Sequence, residues 1–331
     1  MAKLLVTGGA GYIGSHVLKQ LRAAGHEVLV YDNLSTGHRH ALLGAPLIVG
    51  DLADRALLSQ VLAQGDFAAV LHFAAHIIVP ESVSHPLKYY GNNTRNTLQL
   101  LELCHEFGIE RFIFSSTAAV YGIPETGQVN EESPLLPINP YGASKMMSER
   151  MLIDLSSVSA LRHVILRYFN VAGADLQGEI GQETPEATHL IKVACQAAIG
   201  MRPGMKVFGD DYATADGTCI RDYIHIDDLA RAHVAALNYL LAGGPSEIFN
   251  CGYGHGSSVT EVVKAVKSLS GVDFPVEMSG RRAGDPPMLI AANDKIKKVL
   301  GWQPKNDDLE LIVSSALHWE KVCAAREINL K

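Results

Sequence analysis

Lys3-Leu4-Leu5-Val6-Thr7-Gly8-Gly9-Ala10-Gly11-Tyr12-Ile13-Gly14 is the stretch whose reading, carried on to Asp32, decides the fold. Lys3–Thr7 is an apolar run with the length of one buried strand. A helical apolar pattern follows through Val17, Leu18, Leu21 and Ala24, and Gly25 closes it. Glu27–Tyr31 then reads as a second strand that ends in Asp32. Two glycine spacings overlap in the turn: Gly9-x-Gly11-x-x-Gly14, and the wider Thr7-Gly8-x-x-Gly11-x-x-Gly14. A glycine motif alone marks only a tight strand-to-helix turn. In the order strand, glycine turn, helix, strand, acid, it reads as a dinucleotide site. Glycines let the backbone approach a pyrophosphate at a helix N-terminus, where free N–H groups and the helix dipole favour anions. Asp32 falls where a carboxylate accepts hydrogen bonds from the adenosine ribose, and it would repel a 2′-phosphate.

Outward from this stretch, strand and helix patterns keep alternating. Leu47–Val49 runs into Gly50-Asp51-Leu52, and Ala68–Phe73 ends in His72-Phe73-Ala74-Ala75. Asn92–Phe107 reads as a helix, Arg111–Ser115 and Val164–Phe169 as strands, the latter ending at Asn170. Repeated βαβ units predict an α/β fold, a Rossmann-type doubly wound parallel sheet. Ligands of such sheets gather at the carboxyl ends of strands, where Gly8, Asp32, Asp51, Ala74, Ser115 and Asn170 all fall. After Asn170 the chain turns rich in Gly, Pro and polar residues. Helices are expected at His189–Gly200, Asp227–Leu241, Val259–Ser270 and Leu309–Cys323, and a strand at Ile248–Cys251 that returns to the main sheet. The expected division is a dinucleotide domain over 1–172, rejoined by 221–251, and a smaller substrate lobe over 173–331.

The bulk numbers narrow the function. At 331 residues the chain exceeds what one compact core usually holds. It is 47% hydrophobic and 19% charged, ordinary for a soluble α/β enzyme. A formal net charge of −7 argues against tracking of nucleic-acid phosphates. No apolar run reaches membrane-spanning length, and Leu4-Leu5-Val6 leads straight into the glycine turn, as a strand does and a signal peptide does not. The five cysteines are odd in number and form no Cys-x-x-Cys pair, which suits reduced thiols in the cytoplasm. His38-x-His40 reads as an exposed loop pair, and no metal is expected.

The chemistry concentrates between Ser115 and Lys145. Ser115-Ser116-Thr117-Ala118-Ala119-Val120-Tyr121-Gly122 is followed by a Pro-broken loop and then Tyr141-Gly142-Ala143-Ser144-Lys145. If 141–156 is helical, Tyr141 and Lys145 share one face. A tyrosine acts as a base near neutrality only if its pKa of about 10 falls by about three units, roughly 4 kcal/mol. One cation at about 5 Å supplies roughly 3 kcal/mol at an effective dielectric near 20. Lysine alone is marginal; an oxidised nicotinamide ring would be the second positive charge.

Taken together, these segments resemble the extended short-chain dehydrogenase/reductase family over nearly the full length, and within it the UDP-hexose 4-epimerases. The likeness rests on Thr7–Gly14, Asp32-Asn33-Leu34, His72-Phe73-Ala74-Ala75, Glu81-Ser82-Val83, Phe114–Gly122, Tyr141–Lys145, Leu166–Asn170, Arg221-Asp222-Tyr223-Ile224-His225 and Arg282-x-Gly284-Asp285. Relatives that also eliminate water carry an Asp–Glu pair after the active-site threonine; here Ala118 and Ala119 stand there and cannot move protons. The resemblance therefore implies an isomerase, with galactose and carbohydrate metabolism as its setting. UDP-galactose and UDP-glucose would interconvert at C4 through a 4-keto intermediate, with NAD tightly bound. It implies that Tyr141 takes the proton of the sugar 4′-hydroxyl, that Lys145 assists it and holds the nicotinamide ribose, and that Thr117 hydrogen-bonds the 4′-oxygen. It carries cofactor contacts onto Gly8, Gly11, Tyr12, Ile13, Gly14, Asp32, Asn33, Asp51, Leu52, Phe73, Ala74, Asn92, Ser115, Tyr141, Lys145 and Tyr168. Substrate contacts fall on Thr117, Asn170, His189, Leu190, Phe208, Arg221, Arg282, Asp285 and Leu289, with the two arginines on the diphosphate and Asp285 on the uridine ribose.

Two departures stand out. Some relatives carry a lysine where this chain has Ile77, and an asparagine where it has His189. Leu289, four residues after Asp285, replaces the tyrosine of relatives restricted to glucose and galactose, which leaves room for an N-acetylated hexose. UDP-N-acetylglucosamine/UDP-N-acetylgalactosamine epimerisation, or epimerisation of another UDP-sugar, is the alternative. A non-catalytic NAD-binding regulator would be expected to lose Tyr141 or Lys145, and both are present. Relatives pair through two helices, here 93–107 and 141–156, so a homodimer is expected. The second helix carries Met146, Met147, Met151, Leu152, Ile153 and Leu155, more apolar surface than one core face needs.

Overall fold

In a computed structural model, which describes residues 1–185, 187–282 and 284–329, seven parallel strands form the central sheet. They are β1 (Lys3–Thr7), β2 (Glu27–Asp32), β3 (Leu47–Val49), β4 (Ala69–His72), β5 (Arg111–Thr117), β6 (Arg162–Tyr168) and β7 (Glu247–Cys251). Their order across the sheet is β7-β6-β5-β4-β1-β2-β3. Every neighbouring pair runs parallel, in registers such as Leu5↔Leu29, Leu5↔Val70 and Ile113↔Val164. The expected Rossmann-type order is therefore present. The chain leaves the sheet after β6 and returns some eighty residues later as β7, which pairs with β6 from Glu247↔Val164 to Cys251↔Tyr168.

The apolar runs behave as a sheet covered on both faces requires. Leu4 and Val6 point into one core with Val17, Leu18 and Leu21 of α1 (Tyr12–Ala23). Leu5, between them, points into the other core with Leu58, Val61 and Leu62 of α2 (Arg55–Gly65) and Leu100, Leu101 and Leu103 of α3 (Asn96–Glu106). The two-residue period of the strand sorts neighbours onto opposite faces. Full burial of each such leucine contributes roughly 1.5–3 kcal/mol. The catalytic segment expected at 141–156 is α4 (Pro140–Ser157), on the same face as α3. Helix α5 (Leu190–Ala198), helix α6 (Ile226–Leu241), helix α7 (Val259–Ser270) and helix α8 (Leu309–Asn329) follow.

Two boundaries differ instructively. The helix expected from Asn92 begins as a wide, π-type turn over Tyr90–Arg95 before it becomes α3. Asn93 lies in that turn, buried, and its side chain bonds two distant segments, so the turn bends to serve it. The last helix, expected to stop at Cys323, continues to Asn329. Between β6 and β7 and beyond, smaller pairings build the second half. Asn170–Ala172 pairs with Tyr223–His225, and Ile220–Arg221 pairs with Met288–Leu289. Among the described residues, no helix is long and apolar enough to cross a membrane.

Candidate active site

The sheet reverses its winding between β1 and β4, and the crevice outside their carboxyl ends is where such sheets bind ligands. There the glycine turn is steric necessity. Gly8 takes φ +73°, and a Cβ on it would lie 2.4 Å from the Ala74 amide nitrogen. A Cβ on Gly14 would lie 2.2 Å from the Gly8 carbonyl oxygen. No side chain caps the N-terminus of α1, so the first N–H groups, those of Tyr12 and Ile13, stay available to an anion. This cradle fits a pyrophosphate.

Asp32 stands at the end of β2, buried, and ties two loops together. Ala10 N–H donates to its Oδ2 at 2.9 Å and Leu34 N–H to its Oδ1 at 2.8 Å. Next to it Asn33 donates to Asp51 Oδ2 at 2.8 Å, and Ala53 N–H donates to Asp51 Oδ1 at 2.8 Å. The Ala53 amide first, and the Asn33 amide second, hold the Asp51 carboxyl below its ordinary range. The adenosine-side residues expected from sequence thus meet as one hydrogen-bonded group, with Leu52 buried under it. Phe73 packs edge-tilted on His233, 5.0 Å between centroids.

The residues expected to form the catalytic trio lie on adjoining elements. Asn139 caps α4 by accepting from Gly142 N–H at 2.8 Å, and Pro140 occupies its first turn. A Cβ on Gly142 would lie 2.5 Å from the Ala119 carbonyl oxygen, so glycine lets α4 touch the segment that carries Thr117. Tyr141 is 9% exposed, Lys145 3% and Thr117 8%. Thr117 Oγ1 accepts from Ala119 N–H at 3.1 Å. Lys145 Nζ donates to the Ser115 carbonyl at 2.8 Å and lies 4.9 Å over the Phe114 ring. Ser115 Oγ pairs in turn with the Tyr168 hydroxyl.

One sequence expectation is corrected here. Lysine beside tyrosine favours the phenolate, but burial pushes Tyr141 above its ordinary value, and the neighbouring Thr117 hydroxyl offsets only part of this. Lys145 points at Ser115 instead. Burial pulls its ammonium down to about 7, against the opposing pull of Glu149. The protein's own groups therefore leave Tyr141 protonated, and the cation of a bound cofactor matters more than the sequence suggested.

Sequence reasoning missed the support behind this trio. Glu149 continues the Tyr141, Lys145 spacing by four residues and is 1% exposed. It forms a buried pair with Arg167 of β6, 2.6 Å from Nη2 to Oε2, and Ser116 also donates to it. Arg167 reaches Tyr121 at 3.0 Å, which reaches Asn250 at 2.6 Å. Asn93, one residue beyond the expected Asn92, joins the loop after β4 to α4: His76 N–H donates to it at 2.8 Å, and it donates to Ser144 Oγ at 3.1 Å. The four-residue period would have flagged Glu149; nothing local flags Arg167 or Asn93.

The second half supplies a polar wall. Arg221 Nη2 lies 3.7 Å from Asp285 Oδ1, and Arg282 Nε donates to Asp285 Oδ2 at 2.9 Å. The Arg282 guanidinium lies 4.8 Å over the Phe208 ring. Leu289 sits opposite Arg221 in the strand pairing and packs with Ala118, Tyr121 and Phe169, against the floor that carries Thr117. Asn170, His189 and Leu190 line one cavity with Lys192 and Tyr223, and Gln182 contacts His189 Nδ1 at 2.9 Å. Ile77 is half-exposed and offers no charge at its position.

A glycine cradle at the switch point of a doubly wound sheet, with a buried Thr, Tyr and Lys beside it, defines a short-chain dehydrogenase/reductase type of site. The chain belongs to the NAD dependent epimerase/dehydratase family, whose profile matches residues 4–252. It is 57% identical over 320 residues, 96% of this chain and 92% of the relative, to a UDP-glucose 4-epimerase of Azospirillum brasilense. Its structure is similar to that of a UDP-glucose 4-epimerase from Brucella ovis in complex with NAD, at a TM-score of 0.93 and 45% identity, covering 96% and 98% of the two chains. It is also similar to the UDP-Glc/GlcNAc 4-epimerase from Campylobacter jejuni, at 0.87 and 53%, covering 98% and 100%.

Proposed function

We propose that this protein interconverts UDP-glucose and UDP-galactose at C4 of the sugar, with NAD as a resident cofactor. The carrying observation is the meeting of Thr117, Tyr141 and Lys145 beside the cradle of Gly8 and Gly14, with the non-ionisable Ala118 next to Thr117. When bound, NAD would supply the reversible two-electron acceptor and a positive ring beside Tyr141. The cradle residues Gly8, Gly11, Tyr12, Ile13 and Gly14 would hold its pyrophosphate. Asp32, Asn33, Asp51 and Leu52 would hold the adenosine, and Phe73, Ala74, Asn92, Ser115, Lys145 and Tyr168 would surround the rest.

Tyr141 receives the proton of the 4′-hydroxyl and returns it after the sugar has turned over. Thr117 holds the 4′-oxygen in both directions. Lys145, tied to the Ser115 carbonyl, shares its charge between the ribose and the phenolate. The wall of Arg221, Arg282, Asp285, Phe208, Asn170, His189 and Leu190 grips the nucleotide. Because the reaction needs the sugar to rotate, firm contacts belong on the diphosphate and nucleoside, and weak apolar ones such as Leu289 on the sugar. No net oxidation occurs, so cofactor release between turnovers is unnecessary.

The organisation follows the same logic: residues 1–172, rejoined by 221–251, bind the cofactor, and the remainder of 173–331 closes over the nucleotide. Exposed Leu98 on α3 and Met147 and Ile153 on α4 support a homodimer through these helices. The absence of any pairing among the five cysteines of the described residues suits a reducing cytoplasm. The test is a coupled assay on UDP-galactose, with the nucleotide released by denaturation identified. UDP-glucose formation and released NAD are expected. No turnover, or released NADP, would overturn the reading.

A further inference from the structure

Outside the cleft, the described residues gather one set of metal-ligating side chains: His38, His40 and Glu183, whose ligand atoms all lie within 4.8 Å of one another. The histidines stand on the loop after β2. Glu183 comes from the segment before α5, far along the chain. His40 Nε2 is 2.9 Å from Glu183 Oε1, and His38 Nε2 is 3.9 Å from Oε2. The two rings stack with centroids 5.4 Å apart and planes at 28°, so both nitrogens face the same carboxylate.

One nitrogen of this cluster is left unsatisfied. His38 Nε2 is closed off from solvent and has no hydrogen-bond partner, although it faces a carboxylate oxygen. A buried ring nitrogen left unsatisfied is costly. A cation between it and Glu183 would satisfy both. Tetrahedral zinc, with ligands at about 2.0–2.1 Å, sets its ligand atoms about 3.3 Å apart. The observed spacings bracket that value. The rings themselves are 41% and 44% exposed, which leaves an open side for a water as fourth ligand.

The donor set selects the ion. Two imidazoles and one carboxylate suit zinc and its transition-metal neighbours, whereas magnesium and calcium prefer oxygen. The competing group is Arg326, whose Nη1 lies 3.6 Å from Glu183 Oε1. Cys323 is close to Glu183, but burial pushes its thiol up to about 12, which makes it a poor ligand.

The placement gives the site a consequence. His38 N–H donates to the Ala10 carbonyl at 3.0 Å, and a Cβ on Gly37 would clash with Ala10. The histidine loop is thus bound to the glycine turn and continues from Asp32 and Asn33. We propose that His38, His40 and Glu183 form a zinc site that latches the adenosine-side loop to the segment before α5 and slows escape of the dinucleotide. Zinc binding stands on the geometry alone; the effect on escape rests on the NAD reading above.

The experiment uses tag-free holoenzyme and zinc chloride in equilibrium dialysis, with magnesium as control. One zinc per chain is expected, weakened at least tenfold in His40→Ala and in Glu183→Gln, with no magnesium bound at the same concentration. Equal zinc affinity in wild type and both variants would overturn the site. In a second arm, loss of dinucleotide absorbance after rapid gel filtration is followed with zinc and with chelator. Slower loss with zinc in wild type, and no difference in His40→Ala, is expected. Zinc binding with unchanged loss would overturn the latch. A purified protein without dinucleotide would overturn the NAD reading and leave the dialysis result to decide the site.

Discussion

The two ends of the cleft are built differently. At the end proposed for the chemistry, Tyr141, Lys145 and Glu149 share one helix of 18 residues and are 9%, 3% and 1% exposed. At the end proposed for the nucleotide, the Arg282 side chain is 47% exposed and Asp285 23%, on a loop. Their partners, Phe208 and Arg221, arrive from separate strands. The first end is packed in advance, with each charged group already bound to a protein partner. The second holds its two arginines against one aspartate. A proton transfer needs placement to within fractions of an ångström, and rigid elements provide it. On the proposed reading a nucleotide must enter and leave, which the exposed Arg282 permits.

Variants can break this contrast. Tyr141→Phe removes only the phenol oxygen from the rigid end, so kcat should fall by about 10²–10⁴-fold with NAD still bound. Steady-state kinetics, together with the bound dinucleotide content, check this. Retention of more than about a tenth of the rate would remove Tyr141 from the mechanism. Arg167→Met leaves Glu149 charged, buried and unpaired behind Lys145. Urea unfolding should show a loss of about 3–5 kcal/mol, and Glu149→Leu combined with Arg167→Met should recover most of it. If the single variant unfolds like wild type, the buried pair does not brace the rigid end.

The open end should respond in binding. Arg282→Ala should raise KM for UDP-galactose about tenfold, roughly 1.4 kcal/mol, with little change in kcat. A fall in kcat at unchanged KM would place Arg282 with the chemistry instead. The smallest effect is expected where the two ends meet, at Leu289. Leu289→Tyr should shift the ratio of UDP-galactose to UDP-N-acetylgalactosamine specificity several-fold toward the plain sugar, since one added group in an apolar pocket is worth about 1–3 kcal/mol. An unchanged ratio would show that Leu289 packs the wall without facing the sugar.

Much of this could be read from local pattern. Lys3–Thr7, Leu47–Val49 and Val259–Ser270 occur with the boundaries their residues predict. Strand and helix periods, glycine turns and caps are encoded within a few residues, so they are legible without the fold. The Tyr141 to Lys145 face is equally local, because helical spacing alone sets it. What stayed hidden involves partners far apart in the chain. Arg167 meets Glu149 only because β6 lies beside β5 under α4. Asn93 draws attention only once His76 and Ser144 stand on either side of it.

By itself, then, the sequence determined the parallel doubly wound sheet, the glycine turn at its switch point and the shared helix face of Tyr141 and Lys145, since each depends on spacing within one or two elements. Only the tertiary structure decided the state of those groups. Burial raises Tyr141, turns Lys145 toward the Ser115 carbonyl and pulls its ammonium down to about 7. The tertiary fold also sets His38 and His40 against Glu183, 143 residues beyond His40. Solvation and charge proximity depend on what surrounds an atom in space, and neighbours in space are not neighbours in the chain.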